Sequence, residues 1–186
     1  MGVHKADRLS PETNLILIGY RACGKTAVGA QLARRLNRPF VDLDQVLVEE
    51  AGQSIADIVA RFGWQEFRRR EKELVARYGK KKGLVLAPGG GAVLDPDNIT
   101  ALKEHGLIIW LTADPDTIQK RLAQDRATAD NRPSLTGADT LREVERVLKE
   151  REPLYRQAAQ ITIDTSHQSI DTTANQILTA VGARAD

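Results

Sequence analysis

The chain has 186 residues, a single cysteine, and 27 basic against 25 acidic side chains, for a formal charge of +2. So small an imbalance, with both signs interspersed, argues against a nucleic-acid partner, and one cysteine excludes an internal disulfide and suits a reducing cytoplasm. No apolar run exceeds strand length, so no membrane-crossing helix is expected. The length fits one domain over residues 14–186, preceded by a polar tail (1–13) that is expected to be disordered and holds no apolar stretch of the signal-peptide kind.

The first apolar run, Leu15–Ile18, leads into Gly19-Tyr20-Arg21-Ala22-Cys23-Gly24-Lys25-Thr26, which fits the phosphate-cradling pattern G-x-x-x-x-G-K-[ST]. The glycines let the backbone turn sharply near phosphate oxygens. The amides after Gly24 open an amphipathic helix (Val28, Leu32, Ala33, Leu36), where unpaired N–H groups and the helix dipole favour an anion. Lys25 supplies a point charge to the β- and γ-phosphates, and the Thr26 hydroxyl is a Mg²⁺ ligand. A strand before the pattern and a helix after it are the context this chemistry needs. Cys23, near that helix start, reads either as a reactive thiol or as a small residue filling a tight loop.

The second run, Phe40–Leu43, carries Asp42 and ends against Asp44. Two acids at a strand end can hold a metal-bound water and accept a proton from an attacking hydroxyl. Asp44 can equally cap the helix that follows. Residues 44–78 then make a helical excursion rich in charge and aromatics. Within it Phe67-Arg68-Arg69-Arg70-Glu71 belongs to a helix starting near Trp64, with Arg68 and Glu71 on one face. A carboxylate neighbour can aim an arginine fork at a ligand carboxylate, although such a pair is also an ordinary surface ion pair. Lys80-Lys81-Lys82 reads as a solvated helix end.

The third run, Leu84–Ala87, ends in Pro88 with no acid, followed by Gly89-Gly90-Gly91, whose amides can approach a ligand. The fourth run is Leu107–Leu111. Beyond it lies a polar stretch, 124–137, with Arg126, Arg132, Pro133 and Gly137, which has the character of a mobile lid. Arg151 precedes Pro153, the fifth run is Ile161–Ile163, and Ile170, Ala174, Ile177, Leu178 and Val181 mark one face of a last helix. Strands alternating with helices imply an α/β fold around a parallel sheet. Ligands of such sheets gather at the carboxyl ends of the strands, which places Gly19–Thr26, Asp42–Asp44 and Pro88–Gly91 on one rim.

Taken together these motifs resemble the shikimate kinase family, over nearly the whole chain from Leu15 to Val181. The resemblance is carried by GYRACGKT, the Asp42–Asp44 pair, Gly52-Gln53-Ser54-Ile55-Ala56-Asp57-Ile58, the FRRRE run, the glycine triplet, Arg132-Pro133-Ser134-Leu135-Thr136-Gly137, and Arg151-Glu152-Pro153-Leu154-Tyr155. It implies a P-loop, nucleoside-monophosphate-kinase-like α/β fold with five parallel strands ordered 2-3-1-4-5 and flanked by helices. It further implies transfer of the γ-phosphate of ATP to the 3-hydroxyl of shikimate, with Mg²⁺, by a cytoplasmic monomer whose partners are those two small molecules.

By matching position, Ala22, Cys23, Gly24, Lys25, Thr26 and Ala27 would take the phosphates, and Thr26 and Asp42 the metal. Asp44 would bind the shikimate hydroxyls and act as base. Arg68, Gly89, Gly90, Gly91 and Arg151 would hold the acceptor, with the two arginines on its carboxylate. Arg132 would be the lid arginine on ATP, and Arg121 would lie near the adenine. Three positions depart from the family's pattern. Ala22 stands where many relatives have glycine, Pro88 precedes the glycine triplet without an N–H, and His167 and Gln168 replace a basic residue near the last strand. A gluconate kinase on the same scaffold is not expected to combine this Asp-x-Asp with FRRRE and GGG. A guanine-nucleotide switch would carry Asn/Thr-Lys-x-Asp, which is absent.

Overall fold

The computed structural model describes residues 9–124 and 141–183. Of the polar stretch assigned to a lid, only Gln124 lies among them, and Arg126, Arg132, Pro133 and Gly137 lie outside.

Five parallel strands form one sheet in the order β2-β3-β1-β4-β5: β1 (Asn14–Ile18), β2 (Phe40–Asp42), β3 (Val85–Ala87), β4 (Gly106–Thr112) and β5 (Ile161–Asp164). The expected order is borne out, and the apolar runs become strands to within a residue or two at each end. Leu43 and Leu84 drop out of theirs. Leu43 instead opens a helix, because the side chain of Asp42 turns back to accept the Asp44 N–H and caps it.

β1 lies between β3 and β4 and is buried along its whole length. Its side chains alternate between the two faces of the sheet, as strand geometry requires. Leu15 and Leu17 pack with Val28 and Leu32 of α1 (Lys25–Leu36) and with Ala174 and Ile177 of α7 (Ile170–Ala180). Ile16 and Ile18 pack on the other face against α2 (Leu43–Ala51), α3 (Ile55–Gly79), α4 (Pro96–Lys103) and α6 (Leu141–Ala158). The remaining helix, α5 (Pro115–Gln124), joins α6 in a smaller cluster of Tyr20, Ile118, Val144 and Val147. No helix among the described residues is long and apolar enough to cross a membrane.

α3 is two helices run together. Ser54 and Asp57 form a reciprocal capping box at its start. At Gly63 the backbone leaves the helical region (φ 79°, ψ 169°), a conformation that a side chain would strain. The second half then runs from Trp64 with Arg68 and Glu71 on one face, as the sequence spacing indicated. Past its end, Lys81 lies over the Tyr78 ring and Lys82 pairs with Glu12, so the lysine run serves the surface.

The tail expected to be disordered lies partly within the described residues, and that part is tied down. Arg38 donates to the carbonyls of Ser10 and Thr13, and the Gly83 N–H donates to the Glu12 carbonyl. Next to it Asn14, fully buried, bonds the Lys81 carbonyl at 2.6 Å and accepts the Leu84 N–H at 2.9 Å. Asn14→Ala would orphan both of those backbone groups. It is expected to destabilise the fold by roughly 2–4 kcal/mol, read by urea unfolding, with no other loss in nucleotide affinity.

Candidate active site

Asp42, Ala87, Ile18, Thr112 and Asp164 end the five strands on one side of the sheet, and the loops that follow them build the site. The loop Gly19–Gly24 after β1 wraps the start of α1. No side chain caps that helix, so the amides of its first turn stay available to an anion. Lys25 is nearly buried, and its ammonium donates to the carbonyls of Gly19 and Tyr20 at 2.9 and 3.0 Å, which holds it in the hollow of the loop. Thr26 and Ala27 follow in the exposed first turn of α1. Ala22 adopts φ 60°, a left-handed conformation that disfavours any β-carbon, so a glycine there would fit with less strain. Cys23 is buried in the core cluster beneath the loop and fills space, as the plainer of its two readings had it.

The loop is stapled to its neighbours from behind. The Thr165 hydroxyl, just past β5, donates to the Cys23 carbonyl at 3.0 Å. Arg121 from α5 donates to the Ala22 carbonyl at 3.2 Å and to the Thr165 carbonyl and hydroxyl. Arg121 therefore braces the nucleotide loop from behind. His167, beyond Thr165, is largely exposed, with its ring 3.9 Å from Asp114.

The two acids after β2 have separate surroundings. The Asp42 carboxylate accepts the Thr26 hydroxyl at 2.8 Å through one oxygen and the Asp44 N–H at 3.1 Å through the other. Asp44, in the first turn of α2, faces a cleft bordered by Lys25, Arg68, Glu71, Arg151 and the glycine triplet. The cleft encloses about 530 Å³ counted out to its open mouth.

Arg68 is fixed from two directions. Its guanidinium pairs with Glu71 at 2.5 Å and lies over the rings of Phe67 and Trp64, at 5.0 and 5.6 Å from their centroids. Arg151, from α6, donates to the Gly90 carbonyl at 3.2 Å. The glycine triplet is what lets these groups converge. A β-carbon on Gly89 would stand 2.5 Å from Glu71 Oε1 and 2.7 Å from Asp44 Oδ1, and one on Gly91 would overlap the Arg68 guanidinium.

The cleft is thus the meeting place of every acceptor-site residue expected from the sequence. Two that the sequence reading left without a role also reach it or support it. Arg21, a variable position of the phosphate loop, lines the cleft. Tyr155, one helical turn beyond Arg151, bonds Gly90. Its spacing from Arg151 was the available signal. Arg132 lies outside the described residues.

Burial pushes the Glu71 carboxyl above its ordinary value of 4.5, against the pull of Arg68, with Asp44 adding to the rise. A carboxyl with a higher pKa folded than unfolded binds its proton more tightly in the fold. Its contribution therefore favours the fold most below pH 4.5 and declines as pH climbs toward the folded value. Glu71→Gln is expected to remove that decline, so that the unfolding free energy falls less between pH 4.5 and about pH 7 than in the parent. Urea melts across that range check it. Parallel curves would mean that the two arginines offset the burial fully.

A phosphate loop, two acids and an arginine-lined pocket on one rim of a 2-3-1-4-5 parallel sheet define a P-loop small-molecule kinase. The shikimate kinase family model matches residues 21–182. The chain is 45% identical over 175 residues to a shikimate kinase of Syntrophus aciditrophicus, covering 90% of each chain. It is 42% identical over 174 residues to one from Rhodopirellula baltica, covering 94% of this chain and 92% of that one. The crystallised shikimate kinase from Acinetobacter baumannii in complex with shikimate superposes with a TM-score of 0.85 at 34% identity, over 91% of this chain and 93% of that one. This chain belongs to the shikimate kinase family.

Proposed function

We propose that the chain transfers the γ-phosphoryl group of ATP to the 3-hydroxyl of shikimate, giving shikimate 3-phosphate and ADP on the route to chorismate and the aromatic amino acids. The observation that carries this reading is the convergence of Lys25, Asp44, Arg68 and Arg151 on one cleft around Gly89–Gly91. Shikimate is a small anion rich in hydroxyls. Four cations line the cleft (Arg21, Lys25, Arg68, Arg151) against two carboxylates (Asp44, Glu71), a balance that favours a negatively charged acceptor.

The acceptor carboxylate binds between Arg68 and Arg151. Arg68, held by Glu71 and two aromatic faces, meets it already oriented, so little freedom is lost on binding. Its 3-hydroxyl faces Asp44, with the glycine amides alongside. The hydroxyl oxygen forms the new bond to γ-phosphorus as the bond from γ-phosphorus to the bridging β–γ oxygen breaks, and the electron pair of that bond leaves with ADP. Asp44 takes the hydroxyl proton. The transition state is loose, so positioning and neutralisation of charge do most of the work. Lys25 and the amides of Ala22–Ala27 cradle the phosphates. By the family resemblance, Arg121 would lie near the adenine and Arg132 would be the lid arginine on ATP.

The donors at the phosphate loop fit Mg²⁺. The Thr26 hydroxyl and the Asp42 carboxylate are hard oxygen ligands 2.8 Å apart at the start of α1. No group of three or more metal-ligating His, Cys, Asp or Glu residues exists among the described residues, as suits an ion held mainly by phosphate oxygens and water. Thr26 directly, and Asp42 through water, would hold the ion, which supplies charge neutralisation on the phosphates when bound. One chain supplies the whole acceptor site, consistent with a monomer, and a single buried thiol suits the cytoplasm.

ADP release from MgATP with shikimate, gluconate or no acceptor tests the reading. Release that depends on shikimate alone is expected, and equal release in all three would reduce the chain to a nucleotide binder. Arg68→Ala is expected to weaken shikimate binding by about 2–5 kcal/mol, by leaving the ligand carboxylate half paired, while ATP affinity holds. Trp64 borders the cleft, so quenching of its emission reports that affinity. Asp44→Asn keeps the shape of the cleft and removes the proton acceptor. Turnover should fall by about 100-fold or more, and near-parental turnover would move the base role elsewhere.

A further inference from the structure

The Tyr155 ring is 1% exposed, deep beneath the cleft, and stacks on Trp110 of β4 at 5.8 Å and 19°. Its hydroxyl donates to the Gly90 carbonyl at 2.5 Å. The same carbonyl accepts Arg151 at 3.2 Å, so its two lone pairs are engaged at once. Burial holds the phenol pKa well above its ordinary value, and the group therefore stays an O–H donor at any working pH.

Gly90 sits between the two halves of the site. A β-carbon there would stand 3.1 Å from the Gly19 carbonyl, 3.6 Å from the Arg21 nitrogen and 3.7 Å from the Tyr155 hydroxyl. One residue thus touches the phosphate loop on one side and Tyr155 on the other. A peptide is planar, so anchoring the Gly90 carbonyl fixes the whole Gly90–Gly91 unit and the direction of the Gly91 N–H. It also fixes the acceptor that Arg151 uses to hold its own place.

We propose that Tyr155 is a positioning residue for phosphoryl transfer: its buried hydroxyl locks the Gly90 carbonyl and so keeps the acceptor-binding glycine loop and Arg151 in register with the phosphate loop. The proposal rests on the reading of the cleft as the acceptor site. Tyr155 touches neither substrate and acts through Gly90. The ring fills the core, whereas the hydroxyl has no packing duty that the ring alone could not perform.

Tyr155→Phe keeps the ring and its stacking and removes only the oxygen. It is expected to lower kcat by about tenfold, the worth of one hydrogen bond, and to raise the shikimate KM several-fold, with the KM for ATP within twofold of the parent. Hydrogen exchange of the Gly90–Ala92 amides in the protein without substrates should quicken by about tenfold, against unchanged exchange in β1. Trp110→Phe is the control, since it thins the packing against the ring and spares the hydroxyl. A merely structural tyrosine predicts that the two variants lose stability and activity in proportion. The positioning role predicts loss of turnover in Tyr155→Phe alone at matched stability. Parental kinetics and parental exchange in Tyr155→Phe would overturn the proposal. Should the parent show no shikimate-dependent turnover, the reading of function fails, and the exchange data still decide whether the hydroxyl holds the loop. Should Tyr155→Phe not fold, Trp110→Phe with parental stability would assign the hydroxyl a folding role and overturn the proposal.

Discussion

Side chains approach the backbone of Gly89 and Gly91 so closely that no β-carbon fits at either, and the active cleft depends on that closeness. Asp44 comes from the helix after β2, Arg68 and Glu71 from the second half of α3, Arg151 from α6, and Lys25 from the loop after β1. Asp44, Glu71 and Arg68 would each collide with a β-carbon if Gly89 and Gly91 carried side chains. Parallel strands supply the common rim on which these loops start, and the missing side chains let them finish within hydrogen-bonding distance.

The charges of the cleft are arranged along the same lines. Arginines are used where a fixed fork is needed, and each is held by something other than solvent. Arg68 has Glu71 and two aromatic faces, Arg151 has the Gly90 carbonyl, and Arg121 has the Ala22 and Thr165 carbonyls. Glu71 is the most deeply buried of the charged groups lining the cleft, with one oxygen on Arg68 and the other without a hydrogen-bond partner. Its raised affinity for protons is the electrostatic consequence of taking a carboxylate out of water to serve an arginine that stays partly in it.

The sheet was legible because apolar runs of three to five residues alternate with helical patterns, and the phosphate loop because its fixed residues sit between a strand and a helix. The acceptor site was legible only as a set. Asp44, Arg68 and Arg151 are each ambiguous alone, since an acid after a strand is often a cap and an arginine is usually solvated. In fact Asp42 is the cap, a distinction that turns on which carboxylate the chain folds back upon. What the sequence hid has physical reasons. The positive φ of Ala22 is a property of the loop's path, which an alanine does not advertise. The roles of Arg21, in a loop, and Tyr155, inside α6, depend on contacts between residues far apart in the chain.

The burial of β1 has a consequence for how the chain is made. The strand is the first of the five to be synthesised, and its neighbours on both sides come much later. Asn14 and Leu84, which join it to the β3 segment, lie 70 residues apart, and β4 follows later still. At a ribosomal rate of about 5–20 residues per second, that gap lasts roughly 4–14 s. Throughout it, four consecutive aliphatic side chains with no charge among them are exposed on the growing chain. A segment that ends wholly buried is therefore, during translation, an adhesive one.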